Sequence, residues 1–151
     1  MDTRLLVRGK RFSSICAMDV SGIVDVFTTK GSVNVDTFCY FIERDLAPKL
    51  MPFDGKNPRS VVLMDNVKFH HCTEVLAAIE GTGALVHFLP PYSPDLNPAE
   101  EVFSKIKYFL QQNDQIIEGA TEEEFDDFIL QGFCTITADD CYGYFKHAGY
   151  A

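Results

Sequence analysis

The sequence lacks tryptophan and has no apolar run near the roughly 18 residues that a membrane-spanning helix needs. Acids and bases interrupt every hydrophobic stretch, so we expect no membrane segment. The opening residues, Met1-Asp2-Thr3-Arg4, lack the apolar core of a secretory signal, and we predict no signal peptide. The sequence also has no internal repeat and no low-complexity tract. We therefore expect its 151 residues to form a single domain, 1–151.

Positive charge is also scarce, because 13 Lys and Arg residues stand against 22 Asp and Glu residues, for a net charge of −9. This balance disfavours a protein dedicated to binding phosphate backbones, which would need a basic surface. The acidity is uneven, since residues 114–127 hold seven acids and no base, whereas residues 1–11 hold four bases and one acid. A nucleic-acid face elsewhere on the molecule therefore stays open.

The five cysteines are odd in number and lack the CxxC spacing of zinc ribbons. Such a pattern is typical of reduced, intracellular and mostly buried thiols, and it disfavours a disulfide framework. His70-His71-Cys72 has ligand-type residues, but three adjacent side chains cannot all face one ion. We therefore do not predict a zinc site there.

Hydrophobic patterning predicts both strands and helices in the first part of the chain. Two β-prone runs, 13–19 and 23–29, flank a turn signal at residues 19–22 and predict a hairpin. Apolar residues four apart then predict a helix from about Asn34, with Pro48 weakening its last turn. Continuous apolar runs at 60–64 and 84–89 predict two strands that are buried on both faces.

Helical spacing and capping signals predict four further helices, at about 71–80, from Pro98, from the capping box Thr121-x-x-Glu124, and after Thr137. Strand–helix–strand alternation implies a parallel strand pair, and the hairpin adds antiparallel strands. The predicted fold class is thus α/β, a mixed sheet with helices on its faces.

Two carboxylates stand where such a fold places a functional site. Asp65 directly follows the first predicted buried strand, and Glu100 falls in the first turn of the helix after the proline-rich loop 90–98. Carboxylate oxygens are the hard ligands that Mg²⁺ and Mn²⁺ prefer. Simpler roles stay open, since Asp after a strand is commonly a turn former and Glu100 stands at capping-box spacing from Asn97.

Two blocks of sequence resemble one known family. The first is Val62-Leu63-Met64-Asp65-Asn66-Val67-Lys68-Phe69-His70, and the second runs over residues 88–107 with Pro90-Pro91-Tyr92-Ser93-Pro94 at its start. They are similar to the DDE transposase catalytic domain, and most similar to its mariner-like superfamily. The 34 residues between Asp65 and Glu100 also match the family's spacing.

The resemblance implies an RNase H-like fold in which three acids hold two Mg²⁺ or Mn²⁺ ions and DNA phosphodiester bonds are cut and joined. Asp65 matches the second acid and Glu100 the third, while Glu101 is an adjacent alternative that lies off the motif position. Four further residues fall in segments that shape the cleft: Asn66, His70, Tyr92 and Asn97.

The same resemblance implies partners and a location. DNA is expected as the partner, both as transposon ends and as target, with self-association as an option and no membrane contact. Lys68 and Lys105 are candidates to contact DNA phosphates, although solvated surface lysines have the same sequence pattern. We expect a nuclear protein if the source is eukaryotic, and otherwise an intracellular one.

The N-terminal end departs from the family pattern. The family's first acid lies on a strand upstream of the segment that resembles residues 8–11, and neither Asp2 nor Asp19 fits that position. We therefore expect the first strand and the separate helix-turn-helix DNA-binding region to be missing, as in an N-terminally truncated domain. Two functions stay open, an active transposase domain and a catalytically dead remnant that binds DNA or protein.

Overall fold

The computed structural model describes residues 2–7, 10–66 and 72–150. Its strands are β1 Asp2–Val7, β2 Lys10–Asp19, β3 Gly22–Lys30, β4 Val61–Met64 and β5 Leu85–Phe88. Its α-helices are α1 Val35–Phe41, α2 Thr73–Glu80, α3 Ala99–Gln112, α4 Asp114–Glu118, α5 Glu122–Cys134 and α6 Ala138–His147. The chain divides into a first unit, residues 34–97, and a second unit, residues 2–33 with 98–150.

The first unit is a strand–helix–strand crossover with a helix ahead of it. β4 and β5 pair in parallel, from Val61 opposite Leu85 to Met64 opposite Phe88, as the alternation predicted. The Asn34 side chain caps α1, which continues as a π-helical turn over Ile42–Leu46 and a 3-10 turn over Ala47–Lys49. Pro48 lies in this tighter last turn because it has no N–H to continue an α-helical ladder.

The prediction that both strands of this unit are buried on two faces is wrong. Val61 is 45% exposed and its partner Leu85 is 47% exposed, whereas Met64 is only 2% exposed. The two exposed residues stand opposite each other in the register and therefore share one face of the sheet. In the described residues β4 and β5 form a sheet of two strands. The interior strands of a wide parallel sheet are covered by helices on both faces, whereas one face of this pair is exposed at Val61 and Leu85.

The second unit contains an antiparallel sheet in the order β1-β2-β3. The predicted hairpin is confirmed, since Asp19 stands opposite Gly22 across a turn in which the Ser21 N–H donates to Asp19 Oδ1 at 2.8 Å. Gly22 has a φ of 141°, a value that L-residues with a side chain rarely adopt. The turn signal in the sequence therefore reflects a true conformational requirement.

The strand β1 precedes the hairpin, and the expectation that the family's first strand is missing stays a prediction. β1 pairs antiparallel with β2, from Asp2 opposite Ile15 to Val7 opposite Lys10. The edge of β2 offers this segment a row of backbone hydrogen-bonding partners. Whether β1 corresponds to the strand that carries the family's first acid stays untested.

The helices of the second unit contribute much of its core. The predicted apolar stripe of α3 is confirmed, because all four of its members are buried: Val102, Phe103, Ile106 and Leu110. Thr121 caps α5 and Thr137 caps α6 through a complete capping box, as their sequence signals predicted. The short helix α4 was not predicted.

The observed strands and helices confirm the predicted α/β class. Parallel and antiparallel strands are both present, but over the described ranges they form two hydrogen-bonded sheets, of three and two strands. None of the helices described in the chain is both long enough and apolar enough to cross a bilayer. The prediction of one domain over residues 1–151 stays a prediction.

Candidate active site

The candidate site lies in the first unit, at the carboxyl ends of the parallel strands. Asp65 is the first residue after β4, and the segment Leu89-Pro90-Pro91 follows β5. The Leu89 N–H donates to the Met64 carbonyl at 2.8 Å, which keeps the exits of the two strands side by side. Loops that leave adjacent parallel strands at one edge form the crevice in which α/β folds bind ligands.

An open cavity of about 340 Å³ lies at this edge. It is lined by Asp65 and Asn66 from the end of β4 and by residues 90–94 from the loop after β5. Asp65 is partly exposed and Asn66 is exposed, so both side chains are accessible to a ligand in solution. Two predicted site residues are therefore brought together beside the proline-rich loop.

Tyr92 has an unusual conformation at the rim of this cavity. Its backbone φ is 57°, in the left-handed region that costs a non-glycine residue roughly 1–2 kcal/mol. Its side chain is fully exposed, with a relative accessibility of 102%, and does not pack on the neighbouring prolines as a loop aromatic ordinarily would. A residue held in a sparsely populated backbone conformation beside a cavity motivates the hypothesis that Tyr92 has a functional role.

Asn97 holds the Asp65 carboxylate. Its Nδ2 donates to Asp65 Oδ1 at 2.7 Å, and Asn97 itself is only 8% exposed. A 3-10 turn over Pro94–Leu96 places Asn97, whose N–H donates to the Pro94 carbonyl at 3.1 Å. The loop therefore carries a buried amide to the end of β4, and that amide restricts the rotamers open to Asp65.

Glu100 lies in the second unit, in the first turn of α3, and is partly exposed. Its neighbour Glu101 is in contact with the Nδ1 atom of His147, the last residue of α6. Glu101 is thus engaged with another helix of its own unit. The pairing of Asp65 with Glu100 stays a prediction.

Lys105, a predicted DNA contact, forms an ion pair within the second unit. Its Nζ lies 2.9 Å from Asp140 Oδ2, and this hydrogen bond raises the pKa of Lys105. The Asp140 carboxylate also accepts from the Thr137 N–H, and that bond, followed by the one from Lys105, lowers the pKa of Asp140. The role of Lys105 in DNA binding stays a prediction, and Lys68 and His70 lie outside the described residues.

The Asp140 contacts predict a pH dependence of stability. Because the pKa of Asp140 is lowered in the folded state, its contribution is complete above the ordinary value of 3.8 and is lost as pH falls further. We expect Asp140→Asn to lower Tm by about 3 °C near pH 7, and this gap should close below about pH 4. Circular dichroism melts between pH 3 and pH 7 measure it. Asp139→Asn, in the same first turn of α6, is the control, and a gap that persists unchanged at pH 3 would contradict the assignment.

The side chains at the cavity supply only part of the ligand set that a hard divalent cation requires. The Asp65 carboxylate is a ligand of the right chemical type, oriented by Asn97 at an open cavity. Across the described ranges, however, no three His, Cys, Asp or Glu side chains cluster as a metal centre would require. Among the described residues, Asp65 therefore supplies a suitable carboxylate at the cavity but is not part of a three-ligand cluster.

Comparison with known proteins decides the family. A family model described as DDE superfamily endonuclease matches residues 3–121. The chain belongs to this family. The match includes both sequence blocks that carry the resemblance, so Asp65, Asn97 and Glu100 all lie within the region shared with other DDE superfamily endonucleases. No curated protein sequence matches the chain significantly.

Solved structures agree on the fold. The catalytic domain of Mos1 mariner transposase matches with a TM-score of 0.77 at 18% identity, over 97% of this chain and 73% of that one. The same domain with raltegravir and Mn gives a TM-score of 0.77 at 18% identity, over 97% and 74% of the two chains. A Mos1 paired-end complex with the left transposon end gives 0.69 at 19% identity, over 91% and 40%. The predicted RNase H-like fold class is therefore confirmed, and the mariner-like assignment stays a prediction.

Several contacts of the predicted site residues have no signal in the sequence. The amide–carboxylate bond between Asn97 and Asp65 joins two residues that were each predicted to lie at the cleft, but their pairing was not predicted. The contacts of α6 with Glu101 and Lys105 also went unpredicted. No local signal indicates them, since each joins residues more than thirty positions apart.

Proposed function

We propose that this chain is the catalytic domain of a DNA transposase that cleaves and joins phosphodiester bonds with a divalent metal ion. The observation that carries the proposal is the oriented carboxylate, Asp65 held at 2.7 Å by buried Asn97 at the end of a parallel strand. Family membership supports the reaction class. A protein acting on DNA must share a compartment with it, so we also propose an intracellular location, nuclear in a eukaryote.

Different residues of the chain would have different roles at the site. Asp65 and Glu100 would hold Mg²⁺ or Mn²⁺, which when bound supplies Lewis acidity toward the phosphodiester. Asn97 would keep the Asp65 carboxylate in one rotamer, so that little reorganisation is needed on binding. The proline-rich loop would offer a rigid surface to the DNA backbone, because proline fixes φ and so restricts the conformation of the loop.

DNA and a second copy of the chain are the proposed partners. Structures of the similar Mos1 transposase include a paired-end complex with a transposon end, and this supports both proposals. The net charge of −9 predicts that DNA binding relies on local basic groups, whose contacts with phosphates weaken as the salt concentration rises. Binding and activity are therefore best measured at low ionic strength.

Tyr92 is the proposed contact to a DNA base. Its exposed ring offers a stacking surface at the rim of the cavity, and stacking on one base contributes roughly 1–3 kcal/mol. Tyr92→Ala is expected to weaken binding of fluorescently labelled single-stranded DNA by about tenfold, while Tyr92→Phe retains most of the affinity. Fluorescence anisotropy at low salt measures both.

Tyr108 on α3 provides the matched control for this measurement, because it is also exposed, at 62%. Tyr108→Ala should bind DNA as the wild type does. Equal losses in the two alanine variants would argue for a general effect of surface tyrosines, and an unaffected Tyr92→Ala would remove the stacking role.

Nicking of supercoiled plasmid by the purified chain tests the proposed function. Mn²⁺ or Mg²⁺ should convert the plasmid to the open circular form, and EDTA should stop the conversion. A chain that is folded by circular dichroism yet never nicks DNA would overturn the catalytic proposal. Titration of DNA binding against salt would then test the alternative of a non-catalytic, DNA-binding remnant, since phosphate contacts require a salt slope.

A further inference from the structure

Two polar contacts join α3 to α6 in the second unit. His147 Nδ1 donates to the Glu101 carboxylate, which can only accept. Lys105 Nζ lies 2.9 Å from Asp140 Oδ2. Glu101 and Lys105 are four residues apart and therefore lie on one face of α3. Asp140 and His147 are seven residues apart, about two turns of helix, and likewise share one face of α6.

The order of these contacts shows that α3 and α6 run in opposite directions along the shared face. Glu101, in the first turn of α3, contacts His147, the last residue of α6. Lys105, one turn further along α3, pairs with Asp140 in the first turn of α6. Acids in the first turn of a helix and bases in its last turn interact favourably with the helix dipole. The contact at Glu101 is therefore favourable for both helices.

The start of α3 depends on this contact because its N-cap residue does not hold it. That residue is Pro98, which makes no side-chain hydrogen bond to the first turn, whereas threonine hydroxyl groups cap both α5 and α6. The first N–H groups of a helix have no partner within the helix, and helix ends fray. Glu100 and Glu101 both lie in this uncapped turn.

Apolar packing fixes only one side of the same turn. Ala99 and Val102 are buried, but Glu100 and Glu101 are partly exposed on the remaining side. Successive residues of an α-helix are rotated by roughly 100° about its axis. A contact that directs Glu101 toward α6 therefore also sets the direction in which Glu100 leaves the helix.

We propose that His147 is a positioning residue of the candidate active site, which holds Glu101 and thereby keeps the adjacent Glu100 in one orientation for a divalent metal ion. The inference rests on the proposed role of Glu100 as a metal ligand. The pair of Lys105 and Asp140 is a second anchor, one turn away, and prevents α3 from rotating about the first. The family match ends at residue 121, so α6 supports the matched helix from outside the matched region.

Hydrogen–deuterium exchange of the metal-free chain tests this positioning without relying on activity. His147→Ala should speed exchange of the amides at residues 101–105 by about fivefold, which is the upper end of what one exposed ion pair contributes. The last turn of α3, residues 109–112, should exchange as in the wild type. Unchanged exchange at residues 101–105 would overturn the proposal. Equal acceleration throughout the second unit would also overturn it, because that result indicates a general loss of stability.

Three further variants isolate the contact. His147→Asn keeps an N–H donor near the position of Nδ1 and should restore the protection, whereas Lys146→Ala removes a neighbouring exposed base and should exchange as the wild type does. Glu101→Ala should reproduce the effect of His147→Ala, and the double variant should add nothing to it, because both substitutions remove the same contact. Additive effects, or an equal effect of Lys146→Ala, would contradict the assignment.

Nicking of plasmid DNA connects the contact to the proposed reaction. His147→Ala should need about fivefold more Mn²⁺ for half-maximal nicking, while the rate at saturating Mn²⁺ stays near that of the wild type. A lower rate with an unchanged half-maximal Mn²⁺ concentration would indicate a merely structural role and would overturn the proposal. A wild-type chain that nicks no DNA would overturn the proposed function instead, and the exchange measurement would still decide whether His147 orders the start of α3.

Discussion

Replacing Asp65 by asparagine is expected to lower metal-dependent nicking of plasmid DNA by about 1000-fold, equivalent to about 4 kcal/mol of transition-state stabilisation. Asparagine has the same shape, and its Oδ1 can still accept the hydrogen bond that Asn97 Nδ2 donates to Asp65. The substitution therefore preserves the local packing and removes only the charge that a hard cation needs. Rates of plasmid conversion with Mn²⁺ measure the effect, and circular dichroism checks the fold.

Asp36→Asn is the matched control, because Asp36 is an exposed aspartate of the same unit, in the first turn of α1. It should nick DNA at the wild-type rate. Nicking that survives Asp65→Asn would identify the activity as a contaminating nuclease and would remove Asp65 from the mechanism.

The same nicking assay can show which of Glu100 and Glu101 is needed for activity. Glu100→Gln should lose activity as Asp65→Asn does, whereas Glu101→Gln should keep most of it, since Glu101 contacts His147 on α6. If the losses are reversed, the third acid is Glu101 and the alignment to the family motif is off by one residue.

Those parts of the fold that depend on local patterns were predictable. The hairpin follows from β-prone runs on either side of a turn that requires Gly22 at positive φ. The α3 stripe follows from apolar residues at helical spacing, and Thr121 and Thr137 mark helix starts through their own hydroxyl groups. In each case the responsible interactions lie within a few positions along the chain.

Features decided by distant neighbours were not predictable. β1 pairs with β2, a strand that follows it along the chain, and the exposure of Val61 and Leu85 depends on what packs against their face of the sheet. An apolar run in a sequence indicates that a strand is suited to burial, but not that other elements cover both of its faces. This distinction explains why the strands were found where expected and their burial was not.

In the candidate site, too, features set by local sequence were predictable and contacts between distant residues were not. Asp65 was predictable because side chains at the carboxyl ends of parallel strands meet at one edge of a sheet. The partner of its carboxylate was not, because Asn97 reaches it only through the path of the proline-rich loop. The ion pair of Lys105 with Asp140 likewise depends on where α6 lies in the second unit.

Phe125→Ala is expected to destabilise the second unit by about 3–5 kcal/mol, a large part of the roughly 5–15 kcal/mol that stabilises a typical domain. Phe125 is fully buried on α5, and its ring centroid lies 4.8 Å from that of Phe12 on β2. The family match ends at residue 121, before α5, so the prediction tests whether this helix is an integral part of the core. Urea unfolding followed by circular dichroism gives the free energy.

Leu130→Ala on the same helix is the control, because Leu130 is 42% exposed and should cost less than about 1 kcal/mol. Phe125→Leu keeps most of the buried volume and should fall between the two, which preserves the comparison if the alanine variant does not fold. A Phe125→Ala variant as stable as Leu130→Ala would mean that α5 contributes little to the core. The sheet would then draw its stability mainly from α3 and α6, which also contact it.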